Sequence, residues 1–240
     1  LILAVDTSSG SGSIALVRAA DNALVAERSV GSAGPHAAVW LLGAIASLLG
    51  EEGLRPGDIG QYALSIGPGS FTGLRIGIST IKGLAWSVGA SVAGVCTLRA
   101  LAMNAPFAGP LVCPLLDARK SEVYTALFAW RQGRLHALLE PSALRPEALV
   151  SEITRVREEL GGPMGQVLFL GNGLGLYGSY LSEACAGSIL APEPLWHVRA
   201  SNIAMLALRN EAEKSTSLEI APLYLRKSEA ELNAKAGPGP

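Results

Sequence analysis

The sequence predicts an α/β protein made of two similar halves, each running strand, strand, strand, helix, strand, helix. Three observations lead there. Apolar runs at 1–5, 13–18 and 23–30 are joined by turns of small polar residues, which reads as an antiparallel meander and not as the start of a strand–helix–strand unit. An apolar helical pattern, a strand and a second helical pattern follow. The same succession then restarts at Leu111. Two halves that both begin with a meander argue for a duplicated architecture rather than a doubly wound dinucleotide fold.

The first half opens with strand Leu1 to Val5, the polar turn Asp6 to Gly12, strand Ser13 to Arg18, a tight turn at Asp21-Asn22 and strand Ala23 to Val30. His36 to Leu49 reads as a helix with two apolar stripes, Val39-Leu42-Ala46-Leu49 and Trp40-Leu41-Ile45-Leu48. A helix apolar nearly all round is buried on more than one side. Strand Tyr62 to Ile66 breaks at Gly67-Pro68-Gly69 and enters a helix capped by Ser70 or Thr72. Phe71, Leu74, Ile78, Ile81, Ala85 and Val88 recur at steps of three and four, so they share one face. Gly69, Gly73, Gly77 and Gly83 would each cost a helix up to about 1 kcal/mol relative to alanine. Their presence predicts close backbone approach to a neighbour. Arg75, Ser79 and Lys82 form the polar stripe. A strand at Ser91 to Val95 and a helix from Thr97 to Asn104 complete the half.

The second half is expected to begin after Pro106 to Pro110. It holds strands Leu111 to Asp117, Glu122 to Trp130 and Arg134 to Glu140, then helix Glu147 to Leu160 and strand Val167 to Leu170. Gly171-Asn172-Gly173 opens a helix to about Ala186, Ile189 to Trp196 is extended and broken by proline, and Asn202 to Lys214 is a last long helix before the segment Ala221 to Arg226. The expected domains are residues 1–106 and 107–226, with a disordered polar tail at 227–240.

Composition narrows the function. The chain has 240 residues, 49% apolar and 16% charged, with a formal charge of −1. That argues against a large basic footprint, and any role with nucleic acid would need a partner. Cys96, Cys113 and Cys185 sit in apolar patterns and read as buried free thiols in a reducing compartment. The start Leu-Ile-Leu-Ala-Val-Asp lacks the basic opening of a secretory leader, and no apolar run approaches the ~20 residues that span a bilayer. A cytoplasmic protein with no membrane contact is expected.

Several constellations have two readings each. The turn from Asp6 through Thr7 and Ser8 to Gly12 could bring backbone N–H groups to a phosphate, with Asp6 organising a hydrated cation, or it could be a plain hairpin turn. Gly67-Pro68-Gly69-Ser70 is anion-friendly at a helix start but lacks the lysine of a phosphate-binding P-loop, and a tight strand-to-helix turn explains it equally. Gly171 and Gly173 precede a helix start that could meet a nucleotide base or be only a cap. Asp117, Arg119, Lys120 and Glu122 are either a functional loop or a solvated turn. His36, His136 and His197 have no second histidine or cysteine at metal-ligand spacing, so no metal site and no cofactor are expected.

The runs Ile-Leu-Ala-Val-Asp-Thr-Ser at 2–8, Ser-Ile-Gly-Pro-Gly-Ser-Phe-Thr-Gly-Leu-Arg-Ile-Gly at 65–77, Lys-Gly-Leu-Ala at 82–85, Pro-Leu-Leu-Asp-Ala-Arg at 114–119 and Ala-Pro-Leu-Tyr-Leu-Arg at 221–226 resemble the TsaB (YeaZ) family, in order and over nearly the whole chain. The resemblance implies the actin, Hsp70 and sugar-kinase (ASKHA) fold. It implies a role in making threonylcarbamoyladenosine in tRNA, as a non-catalytic scaffold for the homologous transferase TsaD, with TsaE as the associated ATPase and tRNA met only through the complex. TsaD carries a His-x-x-x-His pair on the helix after the next strand. The corresponding run Thr97 to Asn104 has no histidine, which also speaks against the older peptidase reading of such relatives.

The family uses the first two helices at its subunit interface, for TsaD and for a homodimer. The candidate interface residues are therefore His36, Val39, Trp40, Leu42, Gly43, Phe71, Gly73, Leu74, Arg75, Gly77, Ile78, Ile81 and Lys82, with Arg75 at the rim reaching a carboxylate. Asp6, Thr7, Ser8, Gly171 and Gly173 are the candidate vestigial nucleotide site. The rival reading is an ATP-dependent kinase or ATPase of the same fold.

Overall fold

A computed structural model describes residues 1–31, 37–106, 109–161, 165–215 and 219–225. His36, Arg226 and the tail 227–240 lie outside the described residues. The first half runs β1 (Ile2–Asp6), β2 (Gly12–Arg18), β3 (Ala23–Val30), α1 (Ala37–Glu51), β4 (Gln61–Gly67), α2 (Phe71–Val88), β5 (Ser91–Cys96) and α3 (Thr97–Ala102). The second runs β6 (Leu111–Asp117), β7 (Val123–Arg131), β8 (Arg134–Leu144), α4 (Pro146–Glu159), β9 (Val167–Leu170), α5 (Leu174–Ala184), β10 (Ser188–Leu190) and α6 (Ala200–Leu208), followed by β11 (Glu213–Ser215).

The two sheets repeat one topology. The first has the order β11-β5-β4-β1-β2-β3 and the second β10-β9-β6-β7-β8. In each, the opening three strands are antiparallel neighbours, and the fourth and fifth run parallel to the first. Duplication, too faint to read in the residues, is plain in the strand order.

Strands buried on both faces explain the unbroken apolar runs. Leu3 and Val5 of β1 point to the face covered by α1 and α2, where Leu41, Ile45, Leu48, Ile78, Ile81 and Ala85 meet them. Ile2 and Ala4 point the other way, into a core shared with Val112, Leu116 and Phe128 of the second sheet. Each half sends its last helix across the join. The C-terminal helix α6 packs on β1 and β2, and α3 packs on β6 and β7. Polar ties secure the crossing: Asn104 donates to the carbonyls of Leu195 and His197, and Asn202 donates to Ala100 and to the Asn104 side chain.

Three elements depart from expectation, the first being the segment Ile189 to Trp196, which is extended only in part and forms a 3-10 turn at Glu193–Leu195. The helix expected to reach Lys214 stops at Leu208, because Asn210 adopts a left-handed φ of 56° and turns the chain into β11, which pairs antiparallel with β5. β8 continues through Pro141 to Leu144; it is an edge strand with a register shift between Thr125 and Leu127 opposite, where a missing N–H breaks no ladder.

Candidate functional site

The start of α2 is built against the β1–β2 turn. Ser70 caps the helix by accepting from the Gly73 N–H at 3.2 Å, while its own N–H donates to the Ser8 carbonyl at 2.6 Å. Thr7 donates its hydroxyl to the Gly73 carbonyl at 2.8 Å. A Cβ on Gly69 or Gly73 would overlap the backbone of Ser8 or Thr7, and one on Gly77 would overlap the Thr7 hydroxyl. The glycines therefore let the helix approach its own β1–β2 turn. They are not a partner-facing groove, which corrects the expectation for Gly73 and Gly77.

Asp6 sits beneath that turn, fully buried. Its Oδ1 accepts from Ser65 Oγ at 2.5 Å, Ser8 Oγ at 2.6 Å and Ser8 N–H at 3.2 Å, while Oδ2 has no hydrogen-bond partner among the described residues. Burial pushes its acidity well toward the protonated form, against the pull of the Ser65 and Ser8 hydrogen bonds. In the second half, a Cβ on Gly171 would overlap the Leu115 carbonyl oxygen, and the Gly173 N–H donates to that same oxygen at 3.2 Å. These glycines serve close packing of the turn before α5 on β6.

Between the halves lies a cleft of about 510 Å³, bordered by Ser8–Gly10, Gly69–Phe71, Asp117–Lys120, Asn172 and the segment Leu223–Leu225. Of the candidate nucleotide residues, Ser8 alone lines it; Asp6, Thr7, Gly171 and Gly173 are structural parts of the two turns beneath. The segment 223–225 straps the entrance. Leu223 N–H donates to the Ile66 carbonyl at 2.7 Å, and Tyr224 stacks on Phe71 with ring centroids 5.1 Å apart. Arg75 lies 3.8 Å over the Phe71 ring and donates through Nε to the Tyr224 hydroxyl at 3.1 Å. This strap leaves no local signal in the sequence beyond its family motif.

The helix pair α1/α2 divides sharply into two faces. Leu74, Gly77, Ile78 and Ile81 are buried in the chain's own core, so they are corrected from contact surface to core. Trp40 is half-buried and turned onto Gly12 of β2. Phe71 is engaged by Tyr224. What faces out is Val39, 74% exposed, Leu42, 59%, and Trp86, 72%, with Gly43, Ala46, Arg75, Ser79 and Gly83. Lys82 is half-buried. Residue-by-residue reading missed Ala46 and Trp86; the signal for Trp86 was its place on the 72-75-79-83-86 stripe of α2.

Among the described residues, no group of three or more His, Cys, Asp or Glu gathers where a metal could be held. The thiols are poor nucleophiles. Burial pushes Cys113 up to about 12, and raises Cys96 and Cys185 as well. No helix among the described residues is long and apolar enough to cross a membrane.

A duplicated β-β-β-α-β-α unit with a cleft between its halves defines the actin, Hsp70 and sugar-kinase class of folds. The family model for TsaD, tRNA N6-adenosine threonylcarbamoyltransferase, matches residues 32–234. The tRNA threonylcarbamoyladenosine biosynthesis protein TsaB of Bacillus subtilis is 32% identical over 231 residues, 96% of each chain. The Haemophilus influenzae protein of the same name is 25% identical over 94% of this chain and 93% of its own. Among solved structures, YeaZ from Pseudomonas aeruginosa superposes with a TM-score of 0.71 at 26% identity, covering 93% of this chain and 99% of that one. The chain belongs to the TsaB (YeaZ) family and is at the same time a homologue of TsaD.

Proposed function

We propose that this chain is a non-catalytic subunit in the making of threonylcarbamoyladenosine in tRNA, and that it supports a TsaD-class transferase by binding it. One observation carries the reading. Val39, Leu42 and Trp86 stand exposed on two neighbouring helices whose other faces complete the core. Val39 and Leu42 lie one turn apart on α1, and large apolar side chains left exposed side by side mark an interface more often than a free surface. Arg75, exposed near the start of α2 and held by Phe71 and Tyr224, is ready for a partner's carboxylate. The absence of histidine from Thr97 to Asn104 supports the division of labour, with chemistry left to the homologue.

The test is co-purification with the TsaD of the same organism. Leu42→Glu or Trp86→Glu is expected to abolish it while leaving the fold intact; undiminished co-purification of both variants would place the interface elsewhere. The same face serves for a homodimer when the partner is absent. TsaE joins through the assembled pair, and the compartment is the cytoplasm, where tRNA is modified.

The cleft between the halves favours a second reading, an ATP-dependent kinase or ATPase. ATP hydrolysis by the chain alone, lost on Asp6→Ala, would establish it. The fit is poor: Asp6 lies outside the cleft lining and one of its oxygens is occupied by three donors.

A further inference from the structure

The β7–β8 hairpin ends in a cluster of arginines drawn from four places in the sequence. Arg131 and Arg134 pair directly across the two-residue turn Gln132-Gly133. Both are exposed. Like charges at directly opposed positions repel and destabilise a hairpin. Two more arginines are docked onto the same hairpin. Arg209, at the end of α6, donates to the Gly133 carbonyl at 3.1 Å, and Arg99, on α3, donates to the Leu135 carbonyl at 2.8 Å. Carbonyls two residues apart on a strand lie about 7 Å from one another, so these guanidinium groups are near neighbours. Arg99 has Glu211 at 3.3 Å. Arg131, Arg134 and Arg209 have no carboxylate within salt-bridge distance among the described residues.

We infer that this hairpin end binds the phosphate backbone of RNA. The inference rests on the reading that the chain serves in tRNA modification, and it departs from the expectation that tRNA is met only through the complex. Guanidinium forks suit phosphate oxygens. A protein partner would want an apolar centre, and among the described residues none of the large exposed apolar side chains is on this hairpin end. Among the described residues, the large apolar side chains left exposed are Leu24, Val39, Leu42, Trp86, Leu176, Tyr180, Leu190 and Tyr224, all on other segments. Trp130, beside Arg131, turns its ring N–H inward to the Ala105 carbonyl at 2.8 Å. The patch escapes a search for basic runs because no two of its four arginines are adjacent in sequence. It lies on the second sheet, whereas α1 and α2 cover the first, so RNA and a protein partner can be held together.

The experiment is fluorescence anisotropy of labelled, unmodified tRNA with the full chain across a series of KCl concentrations. Wild type is expected to bind with a strong salt dependence. Arg131→Gln/Arg134→Gln is expected to weaken binding at least ~10-fold at low salt and to flatten the log–log salt slope by roughly 1.4 to 1.8, the value for two lost phosphate contacts. The same variant is expected to melt no lower than wild type, since a repulsion has been removed, and Arg131→Lys/Arg134→Lys is expected to keep most of the slope. Salt-independent or absent binding by wild type overturns the inference, as does a double Gln variant that binds like wild type. A drop in affinity accompanied by a lower melting temperature also overturns it, as a folding effect. Co-purification with the transferase is expected to survive in this variant, and RNA binding to survive in Leu42→Glu, so the two readings fail separately.

Discussion

Thr7 donates its hydroxyl to the backbone carbonyl of Gly73 at 2.8 Å, which fixes the hydroxyl oxygen in the space that a methyl group on Gly77 would need. Gly77→Ala should therefore be destabilising by about 1–3 kcal/mol, the usual range for overpacking, despite a helix-propensity gain of up to about 1 kcal/mol. The obstacle is one oxygen atom, so Thr7→Ala should rescue it. In a Thr7→Ala background, Gly77→Ala is expected to be neutral or stabilising. Gly73→Ala meets the Thr7 backbone instead, and no side-chain change at Thr7 should rescue it. Urea denaturation of the double-mutant cycle checks both; additive effects of Thr7→Ala and Gly77→Ala would refute the contact.

The two faces of α2 should separate stability from partner binding. Ile81 is fully buried and Ile78 nearly so. Ile81→Ala is expected to cost about 2–5 kcal/mol, and Ile78→Glu or Leu74→Glu to prevent folding. Trp86→Glu, on the exposed face, is expected to change stability by no more than about 0.5 kcal/mol. Circular dichroism melts beside a pull-down with the transferase read the two properties. A Trp86→Glu variant that melts far below wild type would mean that this ring is part of the monomer's core.

The meander strands were legible because each is a short apolar run bounded by polar turn residues, and Ala23–Val30 was placed to the residue. The halves were legible for the same reason. The inward and outward faces of α1 and α2 were not. Both helices are apolar around most of their circumference, so periodicity groups Leu41 with Ile45 and Val39 with Leu42 without saying which pair meets the sheet. Tertiary packing decides, and Leu41 is 1% exposed while Val39 is 74%. The end of α6 is not legible either, because Glu211 to Lys214 suit a helix locally, whereas pairing with β5 over a hundred residues away claims Glu213 and Lys214 as strand. The turn Arg119-Lys120-Ser121 was equally opaque: all three residues have positive φ and none is glycine.

Glu27 on β3 should hold α6 of the other half in place. One carboxylate oxygen accepts from the Ser201 N–H at 2.9 Å, capping a helix whose own N-cap residue, Arg199, supplies no side-chain bond. The other oxygen accepts from Arg199 Nε at 3.1 Å and Nη2 at 2.5 Å. Glu27→Ala is expected to cost about 1–2 kcal/mol, in line with loss of an N-cap. Glu27→Gln keeps an acceptor for Ser201 and is expected to cost less. Arg199→Ala, whose side chain is 54% exposed, is expected to cost under about 1 kcal/mol. The ordering of the three denaturation midpoints is the check: an Arg199→Ala loss equal to that of Glu27→Ala would assign the stabilisation to the ion pair and not to the cap.

Asp6 should give the fold a pH dependence opposite in sign to that of a salt-bridged carboxylate. Burial raises its folded pKa above the ordinary carboxylate value, the hydrogen bonds from Ser65 and Ser8 only partly opposing the shift. Above the unfolded pKa the native state then holds a proton that the unfolded chain has released. Stability contributed by this group is full below that value and declines as pH rises through the folded pKa. Asp6→Asn removes the titration while keeping an oxygen to accept from Ser65 and Ser8. Whatever its offset, the stability of Asp6→Asn relative to wild type is expected to increase as pH rises above about 4, the ordinary carboxylate value. Paired urea melts at intervals of pH measure that difference directly, with other titrating groups cancelling between the two proteins. A difference that stays flat with pH would mean that Asp6 titrates as it does in the unfolded chain, and its unpartnered Oδ2 would then have to be solvated.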